Sequence, residues 1–126
     1  MKQLKLIALL LSLFLVTQAR ANDVNVTQAT STTTAVTANG DSGIITTFTE
    51  TIAATTSLTF TVNNTGINAD SIVLVSICDY SGTWVTNGIP VVAVNNRIQG
   101  TSFDIKLTNA GANALSGVLK IGFKKQ

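Results

Sequence analysis

Leu58, Phe60 and Val62 alternate with threonines through residues 57–63 (SLTFTVN), the two-residue period of a strand with one buried face. The same period recurs at 103–107 (FDIKL) and 119–123 (LKIGF), where three large apolar residues share one side and Asp104, Lys106 or Lys120 takes the other. A slip of one residue in either segment would bury a lysine, so their register is well specified. Residues 43–49 (GIITTFT) predict another strand, and Pro90 predicts a strand start before 91–94, where its missing amide donor costs little. Residues 72–78 (IVLVSIC) form the most continuous apolar run, as expected of a central strand covered on both faces. Turn-forming clusters separate these runs at 39–43 (NGDSG), 63–66 (NNTG), 79–84 (DYSGTW) and 109–114 (NAGANA).

The N-terminal third reads differently. Residues 22–38 are rich in threonine and poor in apolar anchors, which predicts a mobile N-terminal arm grading into an edge strand. No amphipathic helix is evident after residue 21. Seven to eight short strands with regularly spaced turns imply an all-β chain, an antiparallel β-sandwich of jelly-roll-like form over residues 39–126.

Residues 1–21 have a different character. Lys2 and Lys5 precede an apolar run over 6–16, and Ala19-Arg20-Ala21 places small residues for cleavage before Asn22. That combination is a secretory signal peptide, and the run is shorter than the ~20 apolar residues of a membrane span. The expected product is secreted, at the cell surface or in the periplasm, with no membrane span after cleavage. Removing 21 of the 126 residues leaves 105, enough for one domain with its own core. Lys2, Lys5 and Arg20 leave with the signal, so five bases then face six acids. The overall net charge of +2 therefore belongs to the export segment, and no nucleic-acid partner is expected.

Candidate chemistry is sparse. The chain has no histidine, and its six acids are scattered without a spacing that proposes paired carboxylates. No Gly-x-Ser-x-Gly turn is present for a serine nucleophile. Zinc would lack ligands. The oxygen-rich turns at Asn39, Asp41 and Ser42 and at Asp79 and Ser81 fit side-chain turn capping better than calcium ligation. The expectation is no enzyme, no metal and no cofactor. Cys78 has no partner cysteine in the chain, and its apolar flank predicts a small buried hydrophobe, with an intermolecular disulfide as the alternative. Two glycosylation sequons occur, at Asn25 and Asn63. The candidate ligand-binding residues are Tyr80 and Trp84, which share a loop with Asp79, together with Arg97, the lone arginine after residue 21. Aromatic rings beside small polar residues suit a shallow carbohydrate or cell-surface contact, or else fold inward to cap one end of the sandwich.

The order of segments 43–47 (GIITT), 60–65 (FTVNNT), 67–74 (INADSIVL), 88–92 (GIPVV), 100–105 (GTSFDI), 109–112 (NAGA) and 114–123 (ALSGVLKIGF) resembles small β-rich domains of uncharacterised aquatic phage and large algal virus proteins, often in virion or fibre settings. The resemblance spans most of the chain after the signal. It implies a jelly-roll-like domain that associates as a trimer, and carries no catalytic residues. The export signal departs from that pattern and points to a surface-located relative. The expected function is an exported structural protein that self-associates by sandwich packing, with strand addition from the arm. The alternative is a small lectin-like or adhesin module using the Tyr80/Trp84 loop.

Overall fold

The computed structural model describes residues 22–126, so the expected export signal lies outside the described residues. Eight strands follow in order: β1 (Asp23–Thr27), β2 (Val36–Thr37), β3 (Ser42–Thr46), β4 (Ser57–Asn63), β5 (Val73–Tyr80), β6 (Pro90–Ile98), β7 (Ser102–Asn109) and β8 (Leu119–Lys125). They form two four-stranded sheets, ordered β1-β3-β8-β5 and β2-β4-β7-β6. The protein is an all-β sandwich, and no described residue is helical.

Through β6, each strand lies in the sheet opposite its predecessor, and among the described strands only β6 and β7 form a hairpin within one sheet. A reversal of direction at every connection accounts for all six pairings. Odd-numbered and even-numbered strands meet antiparallel in β3–β8, β5–β8, β4–β7 and β6–β7. Two odd or two even strands meet in β1–β3 and β2–β4, and both of those pairs are parallel. The expectation of antiparallel pairing therefore holds for the body of the sandwich and is corrected at its N-terminal edge.

The core is made by the alternation read from the sequence. Phe103, Ile105 and Leu107 of β7 and Leu119, Ile121 and Phe123 of β8 are fully covered, facing one another from opposite sheets with Phe60, Val62 and Ile45. The Phe103 and Phe123 rings meet between the sheets at 5.7 Å. Burying each such side chain contributes about 1.5–3 kcal/mol against the entropy of ordering the chain.

Residues 22–38 lie on the sandwich as β1 and β2, joined by a compact turn. Buried Gln28 organises that turn: its amide donates to the carbonyls of Thr32 (3.1 Å) and Thr34 (2.9 Å), and its Oε1 accepts from Phe48 N–H. The Glu50 carboxylate clamps the turn from outside, accepting from the Thr32 N–H at 2.9 Å and from its hydroxyl at 2.5 Å.

Two expectations about residues 72–78 are corrected. The strand built from them, β5, is the outer member of its sheet, not a central one. Its side chains alternate, with Val73, Val75 and Ile77 turned toward the core and Leu74, Ser76 and Cys78 exposed. Cys78 is accordingly an exposed free thiol, not a buried hydrophobe. The outward set happens to contain no charge, so the two-residue period was invisible in the composition of the run.

Candidate functional site

Among the described residues eight large hydrophobic side chains are exposed, and six of them fall within residues 72–98: Ile72, Leu74, Trp84, Val85, Val91 and Ile98. These residues belong to β5, to β6 and to the loop between them, except Ile72, which immediately precedes β5. β5 and β6 are the terminal strands of their respective sheets, each with one side lacking a strand partner among the described residues. A bulge interrupts each, between Ile77 and Asp79 in β5 and between Val94 and Asn96 in β6. Such bulges limit edge-to-edge pairing to the regular half of each strand.

The loop between the two strands is rigidly built. Tyr80 is half-buried, and its hydroxyl proton is shared between the carbonyls of Asn87 (2.6 Å) and Ser116 (2.9 Å). Burial raises the Tyr80 pKa above its ordinary value, so the ring stays a neutral donor. Asn87 accepts from the Thr83 N–H and donates to the Ser116 hydroxyl, both at 3.0 Å. Val85 and Gly88 close a tight turn, and the Asn113 side chain donates to the Val85 carbonyl at 2.9 Å. Within this frame Val85 adopts a φ of 72°, a left-handed conformation that costs a β-branched residue about 1–3 kcal/mol. The strained residue is also 63% exposed, and Trp84 beside it is 51% exposed. The Trp84 ring meets Tyr80 edge-on at 5.7 Å. Two apolar side chains are thus held out in water at the tip of an otherwise polar, uncharged loop.

A second feature lies on the outer face of the β1-β3-β8-β5 sheet. Gly122 of central strand β8 sits in register between Ile44 of β3 and Ser76 of β5. Two shallow depressions of about 360 and 350 Å³ adjoin there, with the Cys78 Sγ standing over Gly122. Leu74, Ser76 and Lys124 line one, and Asp23, Asn25, Ile44 and Cys78 the other, with Gly122 and Phe123 common to both. The result is a shallow, mainly apolar trough across the sheet.

The structure brings together Asp79, Tyr80 and Trp84 from the sequence-derived candidates. It divides their roles. Tyr80 caps the sandwich end, whereas Trp84 faces solvent. Asp79 pairs with Lys120 at 3.0 Å, and the lysine's hydrogen bond and charge hold its carboxyl below the usual aspartate value. Arg97 stands outside the cluster, seven residues beyond Pro90 along β6, about 23 Å at the rise of a strand. The oxygen-rich turns are engaged internally. Asp41 pairs with Lys125 at 2.9 Å, Asn39 accepts from the Thr65 N–H, Ser42 donates to Asp23, and Ser81 accepts from the Val118 N–H. A polar hollow of about 220 Å³ beside Asp41 and Lys125 is lined by these same satisfied groups. Sequence reading missed Val85, Leu74 and the Gly122 trough. The signal available for the trough was a glycine at an outward position of a strand whose neighbours there are lysines.

Compared with known proteins, the chain matches no family model, no curated protein and no solved structure.

Proposed function

We propose that this chain is an exported, non-enzymatic structural protein that self-associates into a surface or virion-like assembly through packing of its β-sandwich. One observation carries the reading: the exposed apolar side chains are concentrated on β5, β6 and their connecting loop. Six half-exposed side chains of this size leave on the order of 500 Å² of apolar surface in water, shared between the outer faces of the two sheets and the loop that joins them. Covering such a surface supplies the driving force for association. Strand addition from residues 22–37 is a second route, in which β1 and β2 make their pairings with a neighbour's β3 and β4 by exchange.

The test is the solution mass of residues 22–126 by light scattering coupled to size exclusion, with and without reductant. A closed oligomer or an open polymer supports the proposal, and a monomer at all accessible concentrations overturns it. Deleting residues 22–37 separates the routes, because association by exchange is lost and association through the β5–β6 side survives. A lectin-like module is the rival, favoured by the exposure of Trp84 on a preformed loop. It predicts a monomer whose glycan binding disappears in a folded Trp84→Ala variant.

A further inference from the structure

We propose that Asn39 is a site of spontaneous backbone rearrangement through a succinimide, which loosens the N-terminal segment, while the fold shields the chemically equivalent Asn87. The rearrangement needs no second copy and stands apart from the assembly proposed above.

Asparagine followed by glycine occurs twice in the chain, at Asn39-Gly40 and Asn87-Gly88. Glycine has no side chain to keep its backbone nitrogen from the preceding carboxamide, so these two pairs are the most open to cyclisation. The glycine nitrogen gives up its proton and attacks Cγ of the asparagine. As the N–Cγ bond forms, the Cγ–Nδ2 bond breaks, and Nδ2 leaves as ammonia with that proton. Water, the sole co-reactant, then opens the ring. Attack at Cγ restores the chain with aspartate in place of asparagine. Attack at the main-chain carbonyl leaves isoaspartate, with the chain running through the former side chain.

The fold treats the two sites differently. Both attacking nitrogens are bonded, Gly40 N–H to the Ala38 carbonyl at 2.9 Å and Gly88 N–H to the Val85 carbonyl at 3.4 Å, so the contrast lies in the carboxamides. Asn39 is exposed in the β2–β3 connection. Its Oδ1 accepts from the Thr65 N–H at 3.0 Å and from the Thr65 hydroxyl at 3.5 Å, donors that stabilise the negative charge building on that oxygen during attack. Its Nδ2, the leaving group, donates to no group among the described residues. Asn87 is half-buried and held at both ends, Oδ1 by the Thr83 N–H and Nδ2 by the Ser116 hydroxyl, and its main-chain carbonyl accepts from Tyr80. Turning that carboxamide toward Gly88 breaks both side-chain bonds.

The consequence follows from the surroundings of Asn39. Isoaspartate lengthens the main chain by one atom between Ala38 and Gly40. The buried Asn64 carboxamide holds the carbonyls of both residues at 2.8 Å, and the Asp41 N–H donates to the Asn22 carbonyl at 3.1 Å. A longer link does not fit that bracket, so the seat of Asn22 and β1 loosens. Ordinary aspartate keeps the chain length and still accepts from the Thr65 N–H, so it leaves the seat intact.

The test ages the folded chain at mildly alkaline pH and digests it with chymotrypsin, whose cuts at Phe48, Tyr80 and Trp84 put the two sites in separate peptides. Mass spectrometry reads the gain of one mass unit, and enzymatic methylation of isoaspartate reads the rearranged product. Conversion at Asn39 is expected to run about tenfold faster than at Asn87, and the two to run at comparable rates in urea. Ser116→Ala, which releases the Asn87 amide, should speed conversion at Asn87 and leave Asn39 unchanged. Chain enriched in isoaspartate should exchange backbone hydrogens over residues 22–38 faster than fresh chain, and an Asn39→Asp variant should match fresh chain. Conversion at Asn87 as fast as at Asn39 in the folded chain overturns the proposal. So does an Asn39 left intact in the folded chain after the urea-unfolded chain has converted. Unchanged exchange over residues 22–38 in the isoaspartate chain overturns the loosening.

Discussion

The Sγ of Cys78 occupies the space that a side chain on Gly122 would need: a β-carbon built on that glycine falls 2.6 Å from the sulfur. Gly122 pairs with Ser76 across β5–β8, and Cys78 reaches it from the bulge that displaces the cysteine from the ladder. The next nearest atom is the Ser76 hydroxyl at 3.6 Å, an ordinary contact. The clash is therefore with the thiol alone. Gly122→Ala is expected to destabilise the fold by about 0.5–1.5 kcal/mol, the cost of driving the exposed Cys78 thiol out of its preferred rotamer. Cys78→Ala should be nearly neutral by itself and should restore most of that loss in the double variant. Urea unfolding of the four proteins measures the coupling, and additive losses would show that the thiol is not the obstacle.

Asn109 carries more structure than its type suggests. It is completely buried, donates to the carbonyls of Ile52, Ala53 and Asn113, and accepts from the N–H groups of Ile89 and Gly111. One carboxamide thus ties the β3–β4 connection, the start of β6 and the β7–β8 connection together. Asn109→Ala leaves buried backbone donors and acceptors unpaired, each costing about 1–3 kcal/mol. The expected loss is about 3 kcal/mol or more, read as a fall in the urea midpoint. A loss below 1 kcal/mol would mean that water replaces the carboxamide at the site.

The strands with alternating charge were legible in the sequence, and those without it were not. Lys106 and Lys120 announced which face of β7 and β8 meets water, and Phe103, Ile105, Leu107, Leu119, Ile121 and Phe123 are buried as that alternation requires. In β5 the outward positions are Leu74, Ser76 and Cys78, and nothing in those side chains distinguishes an edge strand from a central one. Parallel pairing of β1 with β3 was hidden for another reason, since it follows from how many times the chain crosses between sheets, not from any local residue. Tyr80 and Trp84 stood out as aromatics in a polar loop. Their separate fates depend on Asn87 and Ser116, whose carbonyls reach Tyr80 only in the folded chain.

Acid should loosen the N-terminal turn. The Thr32 hydroxyl, and then its N–H, hold the Glu50 carboxyl below its ordinary value of 4.5. A lowered folded-state pKa contributes stability that is fully present above the unfolded value and is lost as pH falls through the folded one. Glu50→Gln is therefore expected to be less stable than the wild type near pH 7, with the gap closing below about pH 4.5, the ordinary glutamate range. Asp79, held low by Lys120, retains its own acid sensitivity in that variant. Thermal melts from pH 3 to pH 7 give the comparison, and a pH-independent gap would assign the effect to packing.

Tyr80 and Trp84 should respond in opposite ways to substitution. Tyr80→Phe removes the hydroxyl that meets the Asn87 and Ser116 carbonyls, at an expected stability loss of about 1–2 kcal/mol. Trp84→Ala removes a half-exposed ring, and its stability should change by less than about 1 kcal/mol. Association should follow the reverse order, insensitive to the first change and abolished by the second. Equal stability losses would place Trp84 in the capping structure alongside Tyr80.

Val85 and Thr55 are the two non-glycine residues with positive φ among the described residues, at 72° and 56°. Both are β-branched, the side-chain class least tolerant of that conformation. Asparagine adopts it readily, so Val85→Asn and Thr55→Asn are each expected to stabilise the monomer, by about 1 kcal/mol. The two sites part company in assembly. Thr55 lies in the β3–β4 connection, outside β5, β6 and the loop that joins them, and relieving its strain should leave the oligomeric mass unchanged. Val85→Asn should raise the melting temperature of the monomer and still weaken association, because it puts a carboxamide where an apolar side chain projects at the tip. A chain made more stable yet less able to assemble would show that the strain at Val85 is maintained for the surface it presents. Unimpaired association of Val85→Asn would locate the contact elsewhere on the β5–β6 side.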